Sequence, residues 1–343
     1  MTSVLHCDHS HQALWDQFVR SHHGTSFYHL FGWKKINEDN FGHKTFYLAA
    51  MREQRIVGIF PLVFINSLLF GKILSSMPFV NYGGICAEDA EAEGALIEEA
   101  KKITQTYGIR YLEIRSIRKL EFSLPTSEHK ISMTLSLDSD PDTLWNGFKS
   151  KHRTNIRRVY KEGISVKQGG VELLNDFYQI LSESWKSLGT PIYRKSYFHN
   201  LFDVFGDAVG IFVTELHGKP IAVAFNGYFK DTVEGMWAGS LQEHRHLQPN
   251  YVLYWEMMKD SCEKGFLHYH LGRSTAGSGA EEFKKKWNAI PQQLYWQYYL
   301  HKSEQIPQLN VGNPKFQLAI KAWQKLPTPV TQWIGPLVSK YIP

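Results

Sequence analysis

A one-signed cluster of cations lies in WNGFKSKHRTNIRRVYK, residues 145–161, where Lys149, Lys151, Arg153, Arg157, Arg158 and Lys161 occur with no acid among them. Wound at 3.6 residues per turn, this segment puts Trp145, Phe148, His152, Ile156 and Val159 on one apolar stripe and leaves the rest cationic. Exposed helices usually intersperse both signs, since like charges repel. Two readings stand: a solvated helix face, or a phosphate-binding face on which Arg153 and Arg157 offer planar forks to phosphate oxygens.

Further candidates lie elsewhere. Arg273 closes a strand-like segment and reads as an anion-binding residue or as half of a structural ion pair. Lys284, in Glu282-Phe283-Lys284, either contacts a substrate phosphate or carbonyl or belongs to a solvated basic turn with Lys285 and Lys286. Asn81-Tyr82-Gly83-Gly84 lets a backbone approach a ligand closely, or is a plain turn. No Gly-x-Ser-x-Gly elbow occurs and no cysteine sits in a catalytic signature, so a covalent intermediate on the protein has no support. His6, Cys7, His9 and His11 crowd a terminus expected to be mobile, and His268 and His270 share one strand face without a third ligand; no metal is expected.

The elements that position these residues are duplicated. FYLAAMREQRIVGIFPLVF (46–64) lies over IFVTELHGKPIAVAFNGYF (211–229) without a gap, each reading as a β-hairpin about a polar turn at Glu53-Gln54 and His217-Gly218. Downstream, residues 95–116 lie over 252–274 with one insertion, each a helical pattern, a C-terminal glycine (Gly108, Gly265) and a strand ending in Arg-Ser. One more strand is expected in each copy, near 73–79 and 233–240. The unit is strand, strand, strand, helix, strand.

At 343 residues two domains are expected, and 43% hydrophobic with 21% charged residues excludes a disordered or fibrous chain. A net charge of +5 is mild, so anions should meet a local patch and no DNA partner is expected. Three dispersed cysteines fit neither a disulfide framework nor a zinc site, implying a reducing compartment. The N-terminus shows no secretory pattern and the apolar run 56–70 is too short and broken to span a bilayer, so a cytoplasmic protein is expected.

The strand order resembles the centre of the acetyltransferase (GNAT) fold, and the chain resembles the Fem-type (FemABX) peptidyl and aminoacyl transferases, which are tandem domains of that kind. It is most similar to FemAB-related proteins associated with exosortase and PEP-CTERM systems and exopolysaccharide loci. LLFGKILSSMPFVNYGG (68–84), FKSKHRTNIRRVYKEG (148–163), SLGTPIY (187–193), PNYVLYW (249–255), LGRSTAGSGAEEFKKKW (271–287) and QLYWQYY (293–299) carry the resemblance. It implies an α/β (α+β) fold of two tandem GNAT-like domains, mixed sheets flanked by helices, over 1–135 and 136–300, with a groove between them as the active site. The tail 301–343 is expected to pack on the first domain, or to touch a membrane surface through Trp333, Ile334, Leu337 and Tyr341.

The resemblance further implies transfer of an aminoacyl or acyl group to an amine or hydroxyl of a cell-wall or exopolysaccharide intermediate. The acceptor would be a sugar or peptide compound, lipid-linked at the inner face of the membrane. Lys284 and Arg273 are then the catalytic candidates, and Asn81, Tyr82, Gly83, Arg153, Arg157, Tyr193, Trp237, Asn250 and Tyr251 the substrate-binding ones. An aromatic-acidic pair before Gly-Arg-Ser would be usual; Tyr269-His270-Leu271 stands there instead. No tightly bound cofactor is expected. The donor is charged tRNA or an acyl-CoA, and the glycine loop that holds coenzyme A pyrophosphate is missing: 245–250 has no glycine and 87–94 is acidic. An acyl-CoA-dependent acetyltransferase and a non-enzymatic carbohydrate- or RNA-binding protein are the competing readings.

Overall fold

The computed structural model describes residues 2–67, 70–306 and 314–342. In chain order the elements are β1 (Ser3–Cys7), α1 (Gln12–Ser21), α2 (Gly32–Phe41), β2 (Lys44–Arg52), β3 (Arg55–Ser67), β4 (Gly71–Ser75), β5 (Cys86–Ala87), α3 (Ala90–Thr106), β6 (Tyr111–Ser116) and β7 (Thr126–Ser127). Then follow β8 (Lys130–Ser136), α4 (Pro141–Gly147), α5 (Ser150–Lys161), β9 (Ile164–Gly169), α6 (Leu174–Ser187), α7 (Lys195–Phe205), β10 (Val209–Leu216), β11 (Lys219–Phe229), β12 (Thr232–Ser240), α8 (Asn250–Glu263), β13 (His268–Thr275) and α9 (Gly279–Lys285). The chain closes with β14 (Ile290–Gln293), β15 (Tyr295–Leu300), α10 (Pro314–Lys325) and α11 (Thr328–Ser339).

Both hairpins form as the patterns require. Glu53, Gln54, His217 and Gly218 all take positive φ, the backbone of a two-residue turn whose twist matches the strands it joins. Gly108 and Gly265, at φ +58° and +77°, end α3 and α8 in the left-handed conformation glycine adopts without cost. Behind the first hairpin, Leu96, Ile97 and Ala100 of α3 pack on Leu48, Phe60, Leu74, Leu112 and Ile114. These spacings of four in the helix and two in the strands make one apolar face on each.

The chain divides into two compact units: Met1–Ile131 with Gln293–Leu309 and Lys340–Pro343, and Ser132–Gln292 with Asn310–Ser339. Unit 1 holds the sheet β1-β2-β3-β4-β6-β15-β7, with β5 on β3, and unit 2 the sheet β14-β8-β13-β12-β11-β10-β9. Position by position the two orders correspond, but the strand beside the central parallel pair is exchanged. β15, from the end of the second copy, runs antiparallel to β6, while β8, ahead of the second copy, joins the other sheet. Boundaries at 135/136 and 300/301 therefore assign each of these strands to the wrong sheet. An unpaired strand edge needs a hydrogen-bonding neighbour whatever its place in the sequence, and periodicity alone does not name it.

In each unit a parallel pair runs for three rungs: Ile73↔Tyr111 to Ser75↔Glu113 in unit 1, and Thr232↔His268 to Glu234↔His270 in unit 2. Beyond the last rung β12 continues to Ser240 and β13 to Thr275 without pairing to each other, so the strands splay.

Three expectations change. The helix drawn over 145–161 is two helices, broken at Phe148 and Lys149, whose ψ angles of 148° and 140° are extended; Gly147 is a poor helix former and Phe148 turns into the core. The N-terminus is ordered, β1 pairing with β2 from Ser3↔Met51 to Cys7↔Tyr47. The tail helices α10 and α11 pack against α6 of unit 2 rather than on the first domain, and a side chain at Gly335 would strike the Ile192 backbone at 2.9 Å. Of the tail, the last four residues belong with unit 1, where the Lys340 carbonyl lies 2.8 Å from His43 Nε2.

Candidate active site

At the splay of unit 2, β12 and β13 place opposite groups on the last shared rung. Glu234 Oε2 lies 2.9 Å from His270 Nδ1, with the side chains 1% and 5% exposed. A carboxylate thus stands beside His270 from the neighbouring strand, β12. Sequence reading missed Glu234; its one signal was an ionisable residue between apolar and small neighbours in TVEGMW. Unit 1 places a buried carboxylate on the equivalent rung, with every partner from its own side chains. Glu113 accepts from Ser75 Oγ (2.9 Å), Arg115 Nε (2.6 Å) and Tyr298 Oη (3.1 Å), while the Arg115 guanidinium sits 4.3 Å over the Trp296 ring. Unit 1 therefore spends its splay on packing.

Lys284 is not part of a solvated turn. It projects from α9, whose N-terminus is capped by Ser278, and donates from Nζ to the carbonyls of Gly272 and Arg273, both at 2.9 Å. Burial, then the adjacent Arg273 charge, pushes its pKa down to about 7. An ammonium has three N–H donors; two are engaged here. The solvated role falls to Lys285, ion-paired to Glu281 (2.8 Å) and Glu282 (3.1 Å). Arg273 is half-buried, its charge beside Lys284.

Around α9 the structure collects α5 and the first turn of α8. Tyr251 contacts the rings of His152 (5.2 Å) and Phe283 (5.7 Å), and its hydroxyl lies 3.4 Å from Lys286 Nζ. His152 stands edge-on to Trp287 at 4.3 Å; neither its ring nitrogens nor Trp287 Nε1 has a hydrogen-bond partner. Burial, with the Lys286 charge, pushes the His152 pKa down to about 4, so it packs as a neutral aromatic ring. Arg157 is exposed and stacks on Trp145 at 5.3 Å. Arg153 turns back to donate to Asn146 Oδ1 (3.0 Å), and Arg158 donates to Gln248 Oε1 (2.7 Å) beside the start of α8. Half-buried Asn250 opens that helix, and no side chain caps it. Part of the basic face thus docks α5 on α8, leaving Arg157, Lys151 and Lys161 to solvent.

Tyr193 and Trp237 form a separate cluster, 6.5 Å apart, with Tyr197, Phe198 and Phe225. In unit 1 Asn81 donates to Tyr28 Oη (2.7 Å), and Gly83 donates its N–H to the Arg115 carbonyl (3.1 Å), where a side chain would strike Met77 at 2.4 Å. Both contacts lie within unit 1, where Tyr82 borders a cavity.

Residues 150–285, which include Arg153, Arg157, Arg273 and Lys284, match the acetyltransferase (GNAT) domain family. A solved structure of FemX has a TM-score of 0.68 at 17% identity, covering 93% of this chain and 100% of that one. A tandem GNAT protein from the clavulanic acid biosynthesis pathway gives 0.57 at 10%, covering 89% and 100%. The fold is a tandem GNAT fold. Among curated proteins, lipid II:glycine glycyltransferase of Staphylococcus aureus (strain COL) is 24% identical over 60% of this chain and 53% of its own length. The chain spans about half the length of the curated relatives it matches. Together these likenesses support a FemAB-type GNAT protein.

Within this tandem GNAT fold the family match lies inside unit 2, which carries Lys284, Arg273, Glu234 and His270. Among the described residues, no helix is long and apolar enough to cross a membrane, and no three His, Cys, Asp or Glu side chains converge to hold a metal ion.

Proposed function

We propose that this protein is an acyltransferase of the FemAB type, moving an aminoacyl or acyl group directly onto an amine or hydroxyl of a cell-wall or exopolysaccharide intermediate. The observation that carries this is Lys284, buried beside the splay with two of its N–H donors on backbone carbonyls and its pKa near 7. Acyl transfer develops negative charge on the carbonyl oxygen, and a preorganised donor in a dry site stabilises that charge most. In the ammonium form the third Lys284 N–H is the donor, and Arg273 adds a positive field. Attack by the acceptor nucleophile forms the new C–N or C–O bond as the donor's ester or thioester bond breaks, the nucleophile's proton leaving with the departing oxygen or sulfur. No covalent acyl-enzyme is needed.

Charged tRNA is the donor we favour. The exposed cations of α5 suit a phosphate backbone, and the relative that matches over 60% of this chain is named for glycyl transfer to lipid II. The competing reading, acyl-CoA as donor, rests on the uncapped start of α8 beside Arg158. The purified chain is screened against charged tRNA and acetyl-CoA for binding and donor deacylation. Salt-sensitive binding of charged tRNA, with deacylation stimulated by an amine acceptor, supports the first; tight acetyl-CoA binding with acetyl transfer moves the assignment to the second. A lipid-linked acceptor at the inner face of the membrane is consistent with α11, where Trp333 and Leu337 are 74% and 47% exposed.

A further inference from the structure

At the end of the unit 1 sheet away from Glu113, β2, β4 and β6 begin and β3 and β15 finish, as the partners Lys44↔Phe64, Ser67↔Gly71, Ile73↔Tyr111 and Leu300↔Tyr111 show. Four of these elements put a cation there. Lys44 opens β2, Lys72 follows the start of β4, Arg110 precedes β6 and Lys302 follows β15, and all four are exposed. They gather around the C-terminus of α3. Lys44 Nζ donates to Tyr107 Oη (2.6 Å), Lys72 Nζ to the Tyr107 carbonyl (3.3 Å) and Arg110 Nη1 to the Phe70 carbonyl (3.4 Å), while Lys302 Nζ comes within 3.1 Å of where a side chain on Gly108 would begin.

Elsewhere in unit 1 surface cations meet acids: Arg52 pairs with Asp89, Arg55 with Glu88, Lys35 with Asp39 and Lys102 with Glu99. Among the described residues none of the four cations at this end is ion-paired to a carboxylate, and Glu304, beyond Lys302, offsets one of them at most. The negative pole of α3 amounts to about half a charge and is met by Lys72 on the Tyr107 carbonyl, so it accounts for one cation and leaves the others. Like charges held together in this way repel one another until a polyanion neutralises them.

The form of the patch selects among polyanions. A single-stranded nucleic acid stacks its bases on open aromatic faces. Here Lys44 lies over the Tyr107 ring at 4.6 Å, Phe46 packs edge-on to the same ring at 5.2 Å, and Lys101 lies over Tyr299 at 5.5 Å, so those faces are covered. What the patch offers is charged groups on long stems around half-buried Phe70, which stands in the β3–β4 turn and accepts from Arg110 through its carbonyl. Cations ringing an apolar side chain compose a surface suited to anionic phospholipid headgroups.

We propose that this end of unit 1 docks on an anionic phospholipid surface, with Lys44, Lys72, Arg110 and Lys302 against the headgroups and Phe70 at the interface. The surface is separate from α11, which belongs to unit 2, and does not depend on the acyl-transfer reading.

Vesicle co-sedimentation with the full chain tests this, comparing equal parts of phosphatidylglycerol and phosphatidylcholine with phosphatidylcholine alone. Binding is expected to the anionic vesicles only, and to fall with added salt. The combined variant Lys72→Glu, Arg110→Glu, Lys302→Glu should bind at least on the order of a hundredfold more weakly, at roughly fivefold per cation removed. Lys195→Glu, Lys219→Glu, Lys230→Glu makes the same change of net charge at exposed lysines of unit 2 and should stay near wild type. If the unit 1 variant melts early, the single changes Lys72→Gln and Lys302→Gln, each expected to weaken binding roughly fivefold, decide the matter. The proposal is overturned by no binding to either vesicle, by equal binding to both, by unit 1 variants that bind like wild type, or by a control variant that loses as much. Vesicle binding that Trp333→Ala alone abolishes assigns the contact to α11 and overturns it as well. So does binding of single-stranded RNA that the unit 1 variant destroys while vesicle binding persists. No turnover is measured, so a failed donor screen leaves this surface standing.

Discussion

Lys284 and His152 are both buried and both have lowered pKa values, yet they differ in use. Lys284 keeps a donor free beside a charged arginine, and Lys284→Met should lower kcat on the order of 10²–10³-fold with donor affinity little changed, as expected for a group acting on the transition state. Single-turnover kinetics set against equilibrium binding separates the two, and equal losses in both would assign Lys284 to binding alone. His152 has no polar partner, so its contribution is to stability. Its folded pKa of about 4 lies below the ordinary value of 6.5, so the unfolded chain binds the extra proton between those limits. Stability is therefore complete above about pH 6.5 and is lost as pH falls toward 4, by up to about 1.4 kcal/mol per pH unit from this residue. His43, also lowered to about 4, adds a like share. Denaturant titrations at pH 5 and pH 7 should show His152→Phe reducing the acid sensitivity by about one proton; an unchanged slope would contradict this.

At the scale of elements, α5 carries the donor prediction. Its buried side is His152, Ile156 and Val159, its docking side Arg158 and Tyr160 on α8, and its solvent side Lys151, Arg157 and Lys161. Arg157→Glu should weaken charged-tRNA binding and make the slope of log affinity against log salt shallower by about one, because one phosphate contact is lost. A weaker affinity with the slope intact would mean that Arg157 acts by shape through its Trp145 stack. The helix α11 gives the second element prediction: with Trp333 largely exposed, co-sedimentation with anionic liposomes should fall on Trp333→Ala. Equal sedimentation of wild type and variant would leave α11 to another surface.

For the whole molecule the exchanged strands set the limits of independence. Residues 1–135 lack β15, which hydrogen-bonds β6 from Leu300↔Tyr111 to Tyr295↔Ser116 and supplies Tyr298 to Glu113. Expressed alone, that fragment should be unfolded or aggregated, with an open edge on its central strand and a buried carboxylate short of a partner. Supplying the remainder of the chain in trans should restore a cooperative transition by circular dichroism. A monomeric, cooperatively folding 1–135 fragment would show that β15 is dispensable.

How much of this was legible beforehand follows from what is local. Both hairpins, their turns, the glycine caps of α3 and α8 and the strand-helix-strand order depend on spacings of two and 3.6 and on residues that tolerate positive φ, so the duplicated sequence determined them. The basic face of α5 was legible for the same reason, although its start was not, since burial of Phe148 broke the helix. Tertiary structure alone decided that β8 and β15 change sheets, because a strand's pattern states what it buries and not which neighbour bonds it. It likewise decided that Lys284 turns inward onto two carbonyls while Lys285 faces acids, and that Glu234 meets His270 across a splay. Charge states in the site depend on depth and on neighbours that folding brings together, Arg273 beside Lys284 and Lys286 beside His152, and those are distances only the folded chain measures.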